Sequence, residues 1–167
     1  MMQKFIAGIA VVAFTSFCGY FLAKKYRQRK LFFKQLQEFN ERFLSEIAYY
    51  RRPIKEFVAK YDYKGEFNEL LQDFFTALQT QTRESSHAGL LDSSKYAFLK
   101  KEDKRMVEDY FLMLGKGDSL SQKGYFSSVK EPLLRLQNES ETTCKRYADL
   151  YIKLGFLCGL LILILML

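Results

Sequence analysis

Residues Leu114 to Gln122 read LGKGDSLSQ, and they gather two glycines, a lysine, an aspartate and two serines in one short stretch. That composition suits a phosphate-binding loop, in which glycine amides cradle oxyanions and a lysine meets their charge. Such a loop places its lysine after the second glycine and lies between a strand and a helix. Here Lys116 sits between Gly115 and Gly117, and the residues before them carry a helical pattern. The spacing therefore reads as a helix-to-helix turn. Gly115 has the position of a helix C-cap, Ser119 and Gln122 have the spacing of a capping box, and Asp118 suits the positive end of the next helix. A turn held by two helices is also a docking point.

The other reactive side chains do not assemble into a site. His87, the single histidine, lies in the loop-like stretch RESSHAGLLDSS with no acid fixed beside it. Cys18, Cys144 and Cys158 match no zinc spacing, so all three are expected to be reduced and to fill small packing sites. Glu46, Glu56 and Asp109 are spaced like ordinary helix-surface acids, and Glu56 with Lys60 forms an i,i+4 pair. The expectation is a protein without cofactor or metal and not an enzyme. The alternative is a membrane-anchored small-molecule sensor or enzyme using a bundle interior and the loop around His87.

Two apolar runs organise the elements around these residues. Phe5 to Ala23, FIAGIAVVAFTSFCGYFLA, carries no charge, and Leu150 to Leu167, LYIKLGFLCGLLILILML, carries only Lys153 near its start. A helix crosses a bilayer core with about 20 apolar residues. No small-x-small cleavage site follows the first run, and bulky Phe17 precedes Cys18 where a lipoprotein signal needs a small residue. Both runs are read as transmembrane helices. Lys24, Lys25, Arg27, Arg29 and Lys30 follow the first run directly. Cations beside a span stay in the cytoplasm, held there by the cost of translocation and by anionic lipid. The expected layout is a transmembrane helix over 5–23, a cytoplasmic helical domain over 24–149 and a second transmembrane helix over 150–167. Without Lys4 and the five juxtamembrane cations, the formal net charge of +7 falls to about +1, so no nucleic-acid partner is expected.

Within the central part, Phe32, Leu36, Phe39, Phe43, Ile47, Tyr50, Ile54 and Phe57 recur at steps of three and four, one helix face. The first span should run into this helix without a loop, with a break near Pro53 and a turn at DYKG, ending on Gly65. A second helix is expected over about 66–82, with Phe67, Leu70, Leu71, Phe74, Phe75 and Leu78 inward. A short helix over 95–100 follows, then one starting near Glu102 or Asp103 with Met106, Val107, Tyr110, Phe111 and Leu114 inward. A last helix from the capping box runs into the second span, weakened or bent by Gly124 and Pro132. The fold class is all-α: a cytoplasmic antiparallel helical bundle between N- and C-terminal transmembrane helices. Gly155 and Gly159 form a G-x-x-x-G step, candidates for close span packing, and Tyr20, Tyr26 and Tyr151 are candidate interfacial anchors.

Three stretches together resemble the stage III sporulation protein AB family of endospore-forming bacteria. In SEIAYYRRPIKEF, the residues Glu46, Ile47, Tyr49, Pro53, Ile54 and Glu56 match an E-I-x-Y-x-x-x-P-L-x-E pattern, with Ile for Leu. Leu114, Gly115, Asp118 and Gln122 match LG-x-x-D-x-x-x-Q, and the ending resembles Y-x-x-L-G-x-L-x-G-L-L followed by aliphatics. Lys116-Gly117 and the glycine-bearing QKGYF depart from the family pattern around that turn. The resemblance implies a component of the channel-like, secretion-like complex joining mother cell and forespore. It is similar to the cytoplasmic helical domains of type II secretion F-type platform proteins. A stage III sporulation protein AA-type ATPase and other membrane proteins of the same operon are the implied partners, with the lipid bilayer. The implied location is the mother-cell membrane around the forespore. Glu46, Tyr49, Pro53, Glu56, Gly115, Asp118 and Gln122 are the candidate protein-interaction or bundle-shaping residues.

Overall fold

A computed structural model describes residues 2–49, 61–79, 91–114 and 119–166, which are all helix, turn or irregular, with no strand among them. Helix α1 runs unbroken over Met2–Tyr49, as the absence of any Pro or helix-ending turn signal between the first apolar run and Tyr49 requires. Helix α2 covers Glu66–Gln79, α3 Lys101–Leu114, α4 Ser119–Ser128 and α5 Lys130–Met166. The chain divides into two compact units: Leu31–Gln137, and the pair of segments Met1–Lys30 and Asn138–Leu167.

The unit Leu31–Gln137 is built on phenylalanine. Phe32, Phe33, Leu36, Phe39 and Phe43 of α1 are buried with Phe67, Leu70, Leu71, Phe74 and Phe75 of α2; all but Phe33 are residues that the helical spacing places inward. Val107, Tyr110, Phe111 and Leu114 of α3, Phe126 of α4 and Leu133 of α5 join the core, with Tyr63, Leu91, Tyr96, Phe98 and Leu99 from the segments before α2 and α3. The rings meet edge to face, as their quadrupoles prefer: Phe32 on Phe67 at 5.6 Å, Phe74 on Phe111 at 5.0 Å, and both Phe43 and Tyr110 on Phe126 at 4.9 Å.

Local chemistry sets the helix ends. Gly65 has φ +66°, a conformation a side chain would oppose, and its carbonyl accepts from Asn68 N at 3.0 Å to open α2. The preceding residue is fixed from α1, where the buried Gln35 accepts the Lys64 N–H at 3.1 Å. The expected short helix over 95–100 is instead a single 3₁₀ turn, Ser94–Tyr96, capped by the Ser93 hydroxyl. It stops there because Asp103 accepts the Lys100 N–H at 3.1 Å, making Lys100 the N-cap of α3 rather than a helical residue. The expected last helix is present as α4 and α5, which join at Val129. The Val129 N–H still bonds the Tyr125 carbonyl and the Leu133 N–H the Val129 carbonyl, both at 3.0 Å. The irregularity lies where Pro132 has no N–H to offer the Ser128 carbonyl.

In the other unit, α1 and α5 lie antiparallel. Gly8 meets Leu163, Gly19 meets Tyr151 and Gly155, and Lys30 reaches Glu141. The pairing continues past both apolar runs, to Lys30 on one side and Asn138 on the other. It does so because Ala23 packs with Cys144 and Ala148, and Tyr26 stacks on Tyr147 and Tyr151 at 5.7 Å each. Elsewhere these helices leave large apolar side chains uncovered: Phe14 is 68% exposed, Ile164 71% and Leu165 78%. Both helices are long and apolar enough to cross a membrane. A soluble core helix buries such residues; here they are turned outward, which suits lipid.

Candidate functional site

Two places combine unusual residue types with close geometry: the end of α3 with the start of α4, and the crossing of α1 with α5. At the first, the last carbonyls of α3 lack intrahelical partners, as at any helix end. The Gln122 side-chain amide donates to the carbonyls of Met113 and Leu114 at 3.4 and 3.5 Å. Gln122 is buried, so it points into the fold and ties α4 to the carbonyl end of α3. Ser119 is already helical where the described residues resume, and this bond of Gln122 goes back to the preceding helix. Gly115 and Asp118 lie outside the described residues.

Among the other expected residues, Glu46 is buried in the last turns of α1 and engages neighbouring groups there. Tyr49 is the final residue of α1, and Pro53, Glu56 and His87 lie outside the described residues. Among the described residues, no group of three or more His, Cys, Asp or Glu is placed to hold a metal ion. Of the three cysteines, only Cys144 is buried; Cys18 and Cys158 are exposed on the outer sides of their helices, so the expected packing role fits Cys144 alone.

A polar group that the spacing did not single out lies at the centre of the core. Asn40 is fully buried; its amide donates to the Phe126 carbonyl at 3.2 Å and its oxygen accepts the Tyr110 hydroxyl at 3.1 Å. One side chain thus ties α1 to α3 and α4. The signal was available: Asn40 follows Phe32 and Leu36 at four-residue steps, on the apolar stripe itself.

At the second place, glycines bring backbones together. A Cβ on Gly155 would lie 2.7 Å from the Thr15 carbonyl oxygen and 3.1 Å from the Gly19 Cα, and one on Gly159 would strike the Thr15 hydroxyl and lie 2.8 Å from the Val12 Cα. Thr15 satisfies its own hydroxyl on the Val11 and Val12 carbonyls at 3.0 and 3.1 Å, leaving its body as a packing surface. Small residues permit this approach, which gains dispersion contacts in place of the hydrophobic effect that lipid does not supply. Two glycine substitutions should therefore differ in sign. Gly155→Ala should destabilise the full chain in detergent by about 1–3 kcal/mol, because backbone must move. Gly124→Ala, whose Cβ would meet nothing within 4 Å, should stabilise it by about 0.5–1 kcal/mol through helix propensity. Thermal unfolding followed by circular dichroism checks both, and equal effects would refute the close crossing.

With this geometry in hand, the family model for Stage III sporulation protein AB (spore_III_AB) matches residues 4–167. The chain belongs to the stage III sporulation protein AB family. Stage III sporulation protein AB of Bacillus subtilis (strain 168) is 24% identical over 177 aligned residues, covering 99% of this chain and 99% of that relative. No solved structure matches it. The C-terminal stretch through which the chain resembles stage III sporulation protein AB has a sided geometry. Tyr151, Gly155 and Gly159 face α1, whereas Leu154 and Leu157 are 45% and 57% exposed.

Proposed function

We propose that this chain is a non-enzymatic membrane platform component of a mother cell–forespore channel complex required for endospore formation. The central domain lies in the mother-cell cytoplasm and engages a cytoplasmic secretion ATPase of the stage III sporulation protein AA type. Other membrane proteins of the same operon assemble around it. The observation that carries this reading is helix continuity: α1 bears outward apolar side chains near its start and the phenylalanine core face further along, within one unbroken helix. One helix thus supplies both an apolar end and part of a folded core, as a platform that anchors a domain at a membrane needs. Family membership supports the sporulation role, and the five cations after the first apolar run support a cytoplasmic domain.

The test is site-specific photocrosslinking from exposed positions of the central domain, such as Arg105 and Lys123, in sporulating cells. Capture of the ATPase is the expected result. Capture of the operon's membrane proteins without any ATPase would remove the motor-coupling role. For the turn between α3 and α4, Asp118→Lys should reduce ATPase capture and spore yield; unchanged values would take this turn out of the interface.

A further inference from the structure

The sequence places its cations in a cluster; the structure sorts them. Arg29 is 5% exposed and lies 3.4 Å from Glu139, and Lys30 lies 3.7 Å from Glu141, which also holds Lys145 at 3.1 Å. Those three positive groups are bound to carboxylates of α5. Lys24, Lys25 and Arg27 of α1 and Arg146 and Lys153 of α5 are all exposed, and none forms an ion pair among the described residues. Because Tyr26 stacks on Tyr147 and Tyr151, Lys24, Lys25 and Arg27 lie near the level of Arg146. Lys153 lies about a turn or more deeper, between the two residues that meet Gly19, where a long side chain snorkels outward. Arg27 and Arg146 also lie over the rings of Tyr20 and Tyr147, at 5.5 and 5.6 Å. Just beyond this level Phe21 and Leu22 are exposed on α1, with Leu154 and Leu157 on α5. Among the described residues, only the exposed Asp149 adds negative charge close by without an ion pair.

We infer that Lys24, Lys25, Arg27, Arg146 and Lys153 form a two-helix collar that binds anionic phospholipid headgroups, while Arg29 and Lys30 serve the helix pair instead. The inference rests on the reading that the apolar ends of α1 and α5 lie in a bilayer. The collar supplies cations on both sides of the crossing at the headgroup depth marked by its tyrosines, where each basic residue adds attraction to an anionic surface. Exposed apolar side chains one turn away make a lipid, with its acyl chains, a better occupant than a soluble phosphate.

The test uses the full chain purified in a neutral detergent, with lipid retention read by native mass spectrometry. Phosphatidylglycerol, phosphatidylcholine and inorganic phosphate are the three probes. The wild type should retain phosphatidylglycerol at least about tenfold more tightly than phosphatidylcholine, and equimolar inorganic phosphate should not displace it. Lys24→Gln/Lys25→Gln/Arg27→Gln should lose that preference with an unchanged melting temperature, while Lys101→Gln/Arg105→Gln on α3 should keep it. Equal retention of the two lipids by the wild type, or a preference that survives the triple substitution, would overturn the collar. Displacement by phosphate would overturn the lipid as its occupant. A chain that stays monodisperse without detergent and retains neither lipid would contradict the bilayer reading itself.

Discussion

Replacing Phe39 with alanine lowers the unfolding free energy of the full chain in detergent by about 3–5 kcal/mol, the cost of opening a ring-sized cavity in a packed core. Phe39 has no exposed surface, and its ring lies 5.7 Å from Tyr63, 5.8 Å from Phe67 and 6.2 Å from Tyr110, with Phe43 stacked at 5.8 Å. These neighbours come from α1, the turn before α2, α2 and α3. No single side chain can move in to fill the space, so little of the loss is recovered by relaxation. Phe14, also on α1 but 68% exposed, gives the control. Phe14→Ala in the same detergent removes mainly contacts with detergent, and its effect should stay below about 1 kcal/mol. Circular dichroism against temperature or denaturant separates the two. Similar losses at both positions would mean that the aromatic core is not where this structure places it.

The second large effect is expected at Asn40. Asn40→Ala should cost about 2–4 kcal/mol, because it strands the Tyr110 hydroxyl and removes the donor to the Phe126 carbonyl in a buried setting. Tyr110→Phe alone should cost less, and the double variant should lose less than the sum of the two, since both changes break the same bond. Additive losses would show that the two residues do not interact. A pH dependence accompanies this pair. Burial pushes the Tyr110 phenol well above its usual value, and burial with the nearby carboxylates Asp73, Glu69 and Glu66 pushes Tyr96 up to about 12. The folded state therefore keeps protons that the unfolded chain releases near pH 10. Stability from these groups is fully present below about pH 10 and is lost as pH rises through the folded values. The melting temperature should hold from pH 8 to 9.5 and fall above that, with a shallower fall in Tyr110→Phe.

Much of this fold is legible in the sequence where a single physical rule decides the outcome. The phenylalanine stripes of α1 and α2 follow from helical periodicity, because burying apolar area is the main driving force of folding and acts whatever the partner surface is. The turn at Gly65 and the acids opening α3 are equally local. What escaped the sequence depends on which groups the fold brings together. Asn40 is polar by type and central by position, and only Tyr110 and the Phe126 carbonyl make it acceptable in the core. Gln122 has the spacing of a capping partner, yet the carbonyls it meets belong to the preceding helix. Cys18 and Cys158 look like small packing residues, but the rotation of each helix turns them outward. The glycines Gly155 and Gly159 were visible as a motif; that Thr15 and Gly19 are the groups they approach is a property of the crossing.

We propose that two membrane helices, paired as a hairpin, hold a helical domain inside the cell. The most direct test of this arrangement is protease accessibility of the chain expressed in growing Bacillus subtilis cells and followed by tags within the central domain. In intact protoplasts the domain should survive added protease, and lysis of the same protoplasts should expose it to digestion. Digestion before lysis, or recovery of the chain in the soluble fraction without detergent, would contradict it.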